Sequence, residues 1–337
     1  MSSKDGSKFL AYQVYLAVRV FVAIMQMIPV PWALAIARML GRLAYLIDKR
    51  HRKVAAENLR HAFPELSESE IDRRVRASYQ HLCVMAVETV LLMRKLNSHN
   101  AARFVRDKDL EDSRFAWDLV LSNRPVIVMT GHVGNWEVMS LSMALQGARA
   151  SIVARPLDNH FLDRYIREFR TSAGMQIVDK QGAAEVAGKV LTGGGKLGLV
   201  GDQDAGPKGM FVNFFGRPAS TFKSIALLAI EYQAPILVLG CVRTGEPLRH
   251  LVFLEDAIMP AEFMNDPAAV RAITQRYTSA LERIVRRNPE QYFWFHRRWK
   301  SMPPVKKMKQ VALNEMKQVL NTDVLADVKA SRGRLAA

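Results

Sequence analysis

Two kinds of hydrophobic pattern alternate along the middle of the chain. Short apolar runs, such as Val126–Met129, Ala150–Ala154 and Leu197–Val200, have the length and composition of buried strands. Longer segments between them, such as Trp136–Leu145 and Ala183–Leu191, have the apolar spacing of helices. This alternation predicts an α/β fold whose central sheet is mostly parallel and covered by helices on both faces.

The rest of the chain after residue 54 continues the alternation. A capping box from Ser67 to Glu70 predicts the start of a long helix that reaches Met93. The other predicted strands are Met175–Val178, Pro235–Val242 and Leu251–Leu254, and the other predicted helices are Phe161–Ala173, Thr221–Tyr232 and Pro267–Arg287. The polar stretch from Asn97 to Asp112 suggests no element. With no repeat or low-complexity linker, we expect one catalytic domain at 54–303 and a basic tail at 304–337.

The first 53 residues differ from this pattern. Phe9–Ile28 is apolar over about the length that crosses a bilayer, although Arg19 interrupts it, and no signal-peptide cleavage site follows. Trp32–Ile47 is amphipathic, with Arg38 and Arg42 on one helical face. We interpret residues 1–53 as a membrane-anchoring helix followed by an interfacial helix. The alternative is that both helices pack on the catalytic domain and never meet lipid.

Composition narrows the partners and the chemistry. The net charge of +16 favours anionic partners. The basic residues cluster at Lys49–Lys53 and Arg297–Lys309, beside apolar segments, which fits the anionic lipids of a membrane surface better than nucleic acid. The alternative is that they are solvated surface charges. Two distant cysteines, Cys83 and Cys241, argue against disulfides and zinc, and we expect neither metal nor cofactor.

Candidate chemistry appears where the first buried strand gives way to a helix, in the sequence MTGHVGNWEVMS. If the turn directs His132 back from the helix start, the carboxylate of Glu137 can hold one imidazole nitrogen and leave the other free to accept a proton. No serine or cysteine nucleophile is nearby in a suitable motif, so the substrate would supply the attacking hydroxyl. The alternative is a surface histidine that only caps the helix.

Five ordered segments extend this dyad into a family resemblance. They are ENLRHAFPE (57–65), GHVGNWE (131–137), ARPLDNHFLDRYIREFR (154–170), GDQDAG…VNFFGRPAST (201–221) and PEQYFWFHRRWK (289–300). Together they resemble the bacterial lipid A acyltransferases, the lauroyl/myristoyl transferase family of the glycerolipid acyltransferase superfamily. The tail beyond Pro303 has no counterpart in that resemblance.

The resemblance implies a cytoplasm-facing inner-membrane enzyme that moves a fatty acyl chain from acyl carrier protein to a hydroxyl of a lipid A precursor. It implies His132 as the base and Glu137 as its partner, with Arg155 as a phosphate or oxyanion ligand. Other expected substrate-binding residues are Asn135, Arg170, Asp202, Gln203, Asp204, His296 and Arg297. Ion pairing with nearby acidic residues is the alternative for Arg155 and Arg170. Phe211, Phe214 and Phe215 could line an acyl groove or belong to the core.

Two other functions stay open at this point. One is a coenzyme A-dependent acyltransferase acting on a glycolipid such as a phosphatidylinositol mannoside, with the same dyad. The other is a non-catalytic protein that binds anionic lipid through its basic clusters. The sequence does not give the acyl-chain length, because the floor of an acyl groove cannot be located from it.

Overall fold

The computed structural model of the chain describes residues 3–179 and 182–303. The predicted basic tail at 304–337, with Lys306, Lys307 and Lys309, lies outside the described residues. The helices are α1 (Ser3–Met27), α2 (Val30–Ile47), α3 (Lys49–Ala62), α4 (Glu68–Lys95), α5 (Ala101–Phe104), α6 (Leu110–Leu121), α7 (Trp136–Leu145), α8 (His160–Ser172), α9 (Ala183–Thr192), α10 (Lys223–Glu231) and α11 (Ala269–Arg287). The strands are β1 (Val105–Asp107), β2 (Val126–Thr130), β3 (Ala150–Ala154), β4 (Gln176–Asp179), β5 (Lys196–Val200), β6 (Met210–Phe214), β7 (Arg217–Thr221), β8 (Ile236–Arg243) and β9 (His250–Ile258). Single 3₁₀ turns lie at Pro260–Phe263 and Pro289–Gln291.

The central sheet has the strand order β1-β9-β8-β2-β5-β3-β4. The five strands from β8 to β4 are parallel, whereas β9 pairs antiparallel with β8 and carries β1 in the reversed direction. The predicted mostly parallel sheet with flanking helices is therefore confirmed. Every residue of β2 is buried, as expected for a strand covered on both faces.

Several elements were not predicted from the sequence patterns. The helix α6 and the short strand β1 fall in or beside the stretch that suggested no structure. The strands β6 and β7 form an antiparallel hairpin that closes through Phe215 and Gly216, both with positive φ. Two central residues in that conformation are typical of the tight turns that match strand twist. The sequence pattern did not predict this turn, because Phe215 is an unusual residue at a position with positive φ and only Gly216 is a typical one.

Phe214 and Phe215 of this hairpin belong to the core. They are 1% and 4% exposed; Phe215 packs against Phe63 and Trp294, and Phe214 packs against Phe215. Of the two roles considered for these rings, the structure gives them the core role, while Phe211 remains half-buried.

The N-terminal helices pack on the long helix α4. At Gly41 of α2 an added Cβ would lie 2.5 Å from the Cα of Gln80, so only glycine permits this close crossing. Leu34 and Ala37 of α2 enter the main core. The predicted boundary at residue 53 falls within α3, and α2 shares its inner face with the catalytic domain.

Candidate active site

The register of two neighbouring strands creates the site. β2 and β5 are parallel, and their last residues, Thr130 and Val200, are paired. His132 and Asp202 each follow two residues later. Since the carboxyl ends of parallel strands form one edge of the sheet, both side chains emerge at the same point.

His132 and Asp202 are joined by two hydrogen bonds. Nδ1 of His132 lies 2.6 Å from Oδ1 of Asp202, and the backbone N–H of His132 donates to Oδ2 at 2.7 Å. The Asp202 side chain is only 2% exposed and that of His132 is 22% exposed. Nδ1 is therefore held by a buried carboxylate, and Nε2 meets no hydrogen-bond partner among the described residues.

The surroundings favour the charged forms of both groups. Burial lowers the pKa of the His132 imidazole, but the charge and hydrogen bond of Asp202, together with the charge of Glu137, outweigh it and raise that pKa above its usual value. Burial raises the pKa of Asp202, but His132 and the charge of buried Arg298 lower it by more, so the net shift of that pKa is downward. Asp202 thus stays ionised beside a histidine that readily accepts a proton.

Glu137 does not hold the imidazole, contrary to the geometry expected from the sequence. Both of its carboxylate oxygens accept from Arg170 of α8, one through Nε at 3.2 Å and one through Nη2. Glu137 and Arg170 are 22% and 18% exposed. The expected pairing is wrong because the carboxylate that reaches Nδ1 belongs to Asp202, just after β5, and not to Glu137 in the first turn of α7. Glu137 acts on His132 through its charge.

The loop between β2 and α7 is fixed from several sides. Gly134 has a φ of +62°, and a Cβ there would lie 1.7 Å from the carbonyl oxygen of Cys241, so no other residue fits. His81 of α4 lies with Nε2 3.2 Å from the carbonyl oxygen of Gly134. Burial lowers the pKa of His81 to about 3, so its neutral ring donates this hydrogen bond. These contacts hold the backbone of the loop, and with it His132, in a fixed position.

A buried ion pair supports the same loop from behind. Glu88 of α4 is fully buried, and its Oε1 accepts from Nε of Arg243 at 2.7 Å. Burial raises the pKa of Glu88, but the adjacent His250 and the hydrogen bond and charge of Arg243 bring it down to about 2. This pair ties α4 to β8, the strand whose Cys241 carbonyl accepts from the Asn135 N–H at 2.9 Å.

Asn135 has a structural role in this loop. It is fully buried, its Oδ1 caps α7 by accepting from the Val138 N–H at 3.1 Å, and its amide faces α4. Its side-chain polar atoms are hydrogen-bonded within the protein, and its expected contact with substrate stays a prediction.

Asp204 and His296 hold the C-terminal segment against the site. Asp204 accepts from the Gly206 N–H and from the Ser301 hydroxyl, at 3.1 and 2.9 Å. Its own N–H donates to Nε2 of His296 at 2.9 Å, and burial lowers the pKa of that histidine. Both expected substrate-binding residues are thus engaged with the protein. Gln203, between Asp202 and Asp204, is half-buried.

Two neighbouring arginines differ in their exposure to solvent. Arg297 is exposed, as a ligand for an anionic substrate or membrane could be. Arg298 was grouped with the surface charges, but it is 3% exposed and donates to Thr221 Oγ1 at 2.8 Å. Its charge acts on Asp202 instead. Arg155 is 78% exposed, with Asp158 3.7 Å away, so that pairing is a weak surface contact.

The structure therefore unites six of the residues singled out from sequence in three pairs, His132 with Asp202, Glu137 with Arg170 and Asp204 with His296. The sequence reasoning missed Asp202 as the partner of His132, and it missed buried Arg298. The available signal was positional, since both His132 and Asp202 follow apolar strands at the same offset. Within residues 3–179 and 182–303, no cluster of His, Cys, Asp and Glu resembles a metal site.

An apolar cavity lies beneath α7, against the sheet. Its wall includes Thr130 and Val200, which immediately precede the two site loops, and it extends down to Lys196. The Lys196 ammonium donates to three backbone carbonyls at 2.6 to 2.8 Å. Further lining comes from Val128, Met139, Met143, Ile152, Gly198 and Leu199. The cavity is thus a narrow apolar space that starts near the His132–Asp202 pair.

A histidine–carboxylate pair at the strand ends of an α/β sheet, with an apolar cavity in the same sheet, is an arrangement that acid–base catalysts use. Residues 3–301 match the family described as bacterial lipid A biosynthesis acyltransferase. The chain belongs to that family, as its sequence boxes indicated, and it is an acyltransferase.

Individual relatives agree with the family. The lipid A biosynthesis palmitoleoyltransferase of Escherichia coli (strain K12) is 24% identical over 279 residues, which cover 82% of this chain and 87% of that one. The lauroyltransferase of the same strain is 25% identical and covers 78% and 84%. The phosphatidylinositol mannoside acyltransferase of Mycolicibacterium smegmatis (strain ATCC 700084 / mc(2)155) is 25% identical over 45% of this chain and 51% of its own length.

Proposed function

We propose that the protein transfers a fatty acyl chain from an acyl carrier protein thioester to a hydroxyl group of a lipid A precursor, at the cytoplasmic face of the inner membrane. The family membership and the names of the relatives support the reaction class and the acceptor. The donor is inferred from the sequence resemblance and from the basic charge of the chain, which suits an acidic carrier protein.

The observation that carries the mechanism is the fixed orientation of His132. Its Nδ1 is held by the buried carboxylate of Asp202, which selects the tautomer with a bare Nε2. Such a ring can accept one proton at Nε2 while the carboxylate stabilises the resulting imidazolium. We therefore assign the orienting role to Asp202 and revise the expected His132–Glu137 dyad to a His132–Asp202 pair.

The proposed reaction needs no enzyme-bound ester. Nε2 of His132 takes the proton of the acceptor hydroxyl while its oxygen attacks the thioester carbonyl carbon. The tetrahedral intermediate collapses, the carbon–sulfur bond breaks, and the imidazolium returns its proton to the leaving thiolate. A new ester and a free thiol result. Removal of a general base typically costs about a hundredfold to ten-thousandfold in rate.

The second pair supplies a positioned cation. Glu137 holds the Arg170 guanidinium beside the base through two hydrogen bonds, a geometry that fixes its plane. A guanidinium so held is suited to a phosphate of the acceptor or to the oxyanion of the intermediate. Exposed Arg155 and Arg297 are further candidates for acceptor phosphates.

We assign the donor acyl chain to the cavity beneath α7. It is apolar, is lined at one end by Thr130 and Val200, which lie two residues before His132 and Asp202, and ends at Lys196, whose ammonium is engaged with the surrounding backbone. Five residues of β5 separate its two ends, a length of about 13 Å at the usual rise of a parallel strand. A cavity of finite depth selects acyl chains by length.

Gly198 provides a test of this assignment. A Cβ at Gly198 would meet Ile152 Cγ1 at 3.3 Å, so a larger side chain there would occupy the cavity between its two ends. We expect Gly198→Val to shift the preferred donor toward shorter acyl chains, measured by competition between acyl donors and mass spectrometry of the product. Val186→Ala, at an exposed position on α9, is the control. An unchanged chain-length profile in a folded Gly198→Val protein would exclude this cavity as the acyl site.

Membrane association is supported by α1 and α2. Lys8–Met27 and Val30–Ile47 are both long and apolar enough to cross a membrane. In α2, the exposed positions Trp32, Met39, Leu43 and Leu46 follow one stripe, opposite the face that packs on α4. We propose that this stripe meets lipid, and that the basic residues 49–53 lie against anionic headgroups.

The deciding experiment uses the purified full-length chain in detergent with a lipid A precursor and acyl carrier protein thioester, with product detected by mass spectrometry. We expect acylated product with the wild type and a loss of at least about a hundredfold in His132→Ala that retains its thermal unfolding transition. Intact-mass measurement with donor alone should find no acyl adduct on the protein. A covalent acyl-enzyme, or full activity of His132→Ala, would refute the mechanism.

A coenzyme A donor and a mannoside glycolipid acceptor form the second candidate, favoured by the similarity to the phosphatidylinositol mannoside acyltransferase. The same assay separates the two, since replacing the carrier-protein thioester by the coenzyme A thioester should lower kcat/KM if the first proposal is correct. A preference for coenzyme A would favour the second.

A further inference from the structure

The inner face of α1 forms a continuous contact with α8. The aromatic ring of Phe161 on α8 lies 5.1 Å from that of Tyr12 and 5.9 Å from that of Tyr15, measured between ring centroids. The guanidinium of Arg19 lies 4.8 Å from the ring centroid of Tyr165 and also donates to the Tyr15 hydroxyl at 2.9 Å. We call this set of residues the α1–α8 seam.

Asn159 completes the seam and has two separate roles. Its Oδ1 accepts from the N–H groups of Phe161 and Leu162 and so caps α8. Its Nδ2 donates to the carbonyl oxygen of Ala11 in α1 at 2.8 Å. One side chain thus starts α8 and binds it to α1.

The helix α8 depends on this contact, because it has little other support. No described residue of α8 is buried, and its main packing partners are α1 and β4. The ion pairs of Arg167 with Asp163 and Asp179 are partly open to solvent. By contrast, α1 is fixed independently to α4, where Val22 and Met25 are buried and Gln26 Nε2 donates to the Val90 carbonyl at 2.8 Å.

The seam leads directly to the site. The last turn of α8 carries Arg170, which holds Glu137, and the segment before α8 carries Arg155. We propose that α1 is a positioning element for the acceptor as well as an anchor: through the seam it orders α8 and thereby places Arg170 and Glu137 for binding the phosphorylated lipid. This inference rests on the proposed function, since it concerns the acceptor side of that site.

The proposal separates two faces of one helix. The outer face of α1, including Phe9, Val20 and Ile24, is exposed and apolar and would serve lipid binding. The inner face would serve acceptor binding. Since His132 and Asp202 are held by the sheet, loss of the seam should weaken acceptor binding and spare the proton transfer.

The test compares matched variants of the full-length chain. Tyr15→Ala removes the Tyr15 ring from the α1–α8 seam, while Tyr15→Phe keeps that ring. Asn159→Asp keeps the capping oxygen of α8 and loses the donor to Ala11. Phe9→Ala, at a position 61% exposed, alters only the outer face. For each we would measure acceptor KM, donor KM and kcat in detergent, sedimentation with phosphatidylethanolamine–phosphatidylglycerol vesicles, and hydrogen exchange of α8 amides.

We expect Tyr15→Ala and Asn159→Asp to raise the acceptor KM by about threefold to tenfold, the scale of one lost aromatic pair or hydrogen bond. Their kcat, donor KM and vesicle binding should stay within about twofold of wild type, and exchange in α8 should rise. Tyr15→Phe should largely restore the acceptor KM. Phe9→Ala should weaken vesicle binding with little change in detergent kinetics.

Unchanged exchange in α8, or an unchanged acceptor KM in Tyr15→Ala, would overturn the role of the seam. So would defects that track vesicle binding alone. If the wild type did not acylate a lipid A precursor, the proposed function would fail instead, and α8 exchange in the same variants would still decide whether the seam orders this helix.

Discussion

Two carboxylate-containing pairs, His132 with Asp202 and Arg170 with Glu137, lie at the top of the sheet, and different parts of the fold hold them. His132 and Asp202 stand on the ends of the adjacent strands β2 and β5, and Asp202 is 2% exposed. Glu137 and Arg170 join α7 to α8, both about one-fifth exposed, and α8 has no described buried residue. The comparison teaches that the sheet fixes the pair proposed to transfer the proton, whereas the pair proposed to bind the acceptor depends on a lightly packed helix.

The largest expected effect comes from the rigid pair. Asp202→Asn removes the charge and the tautomer preference of the buried partner, so we expect kcat to fall by at least about a hundredfold. The activity of the wild type should rise with pH through an apparent pKa above 6.5, because the raised pKa of His132 keeps the base protonated below it. The stability that this pairing contributes is present below the usual pKa of histidine, is lost as pH rises through the raised pKa of His132, and is also lost as pH falls through the lowered pKa of Asp202.

The pH profile sharpens the same test. Without the charge and hydrogen bond of Asp202, burial lowers the pKa of His132 and only the smaller effect of the Glu137 charge opposes it. The residual activity of Asp202→Asn should therefore rise with pH at a lower inflection than that of the wild type. A kcat near the wild-type value, or an inflection moved upward, would break the assignment of Asp202 as the orienting carboxylate.

A smaller effect is expected at the second pair. Glu137→Gln keeps the shape of the side chain but weakens its hold on Arg170, a charged hydrogen-bond contact worth about 1.5–3 kcal/mol. We expect kcat/KM to fall about tenfold to a hundredfold, mainly through acceptor KM, measured by steady-state kinetics. The double variant Glu137→Gln/Arg170→Ala should be little worse than Arg170→Ala alone. A loss in kcat as large as that of Asp202→Asn would mean that Glu137 takes part in proton transfer.

The smallest effect on activity should come from the third carboxylate of this region. Asp204 is engaged with Gly206 and Ser301, so Asp204→Asn should change kcat by less than about threefold while lowering the free energy of unfolding by about 1–2 kcal/mol. Chemical denaturation and kinetics on the same preparation would measure both. A selective loss of activity at normal stability would restore Asp204 as a substrate ligand.

Much of the fold follows from local sequence. The apolar runs of β2, β3 and β5, the capping box of α4 and the amphipathic spacing of α2 are local properties, and each predicted an element that the structure contains. The hairpin of β6 and β7 was not predicted because its turn includes Phe215, and phenylalanine normally indicates a strand or core position and not a turn.

The site also has features that follow from local sequence and features that depend on tertiary packing. The sequence by itself determined that His132 and Asp202 follow buried strands and that Glu137 and Asn135 lie at the start of a helix, because strand and helix periodicity are written over a few adjacent residues. Only the tertiary structure decided which carboxylate meets Nδ1, which cations are buried, and that α1 reaches α8. Those outcomes depend on which strands become neighbours and in what register, and that is set by the packing of segments about 70 to 150 residues apart.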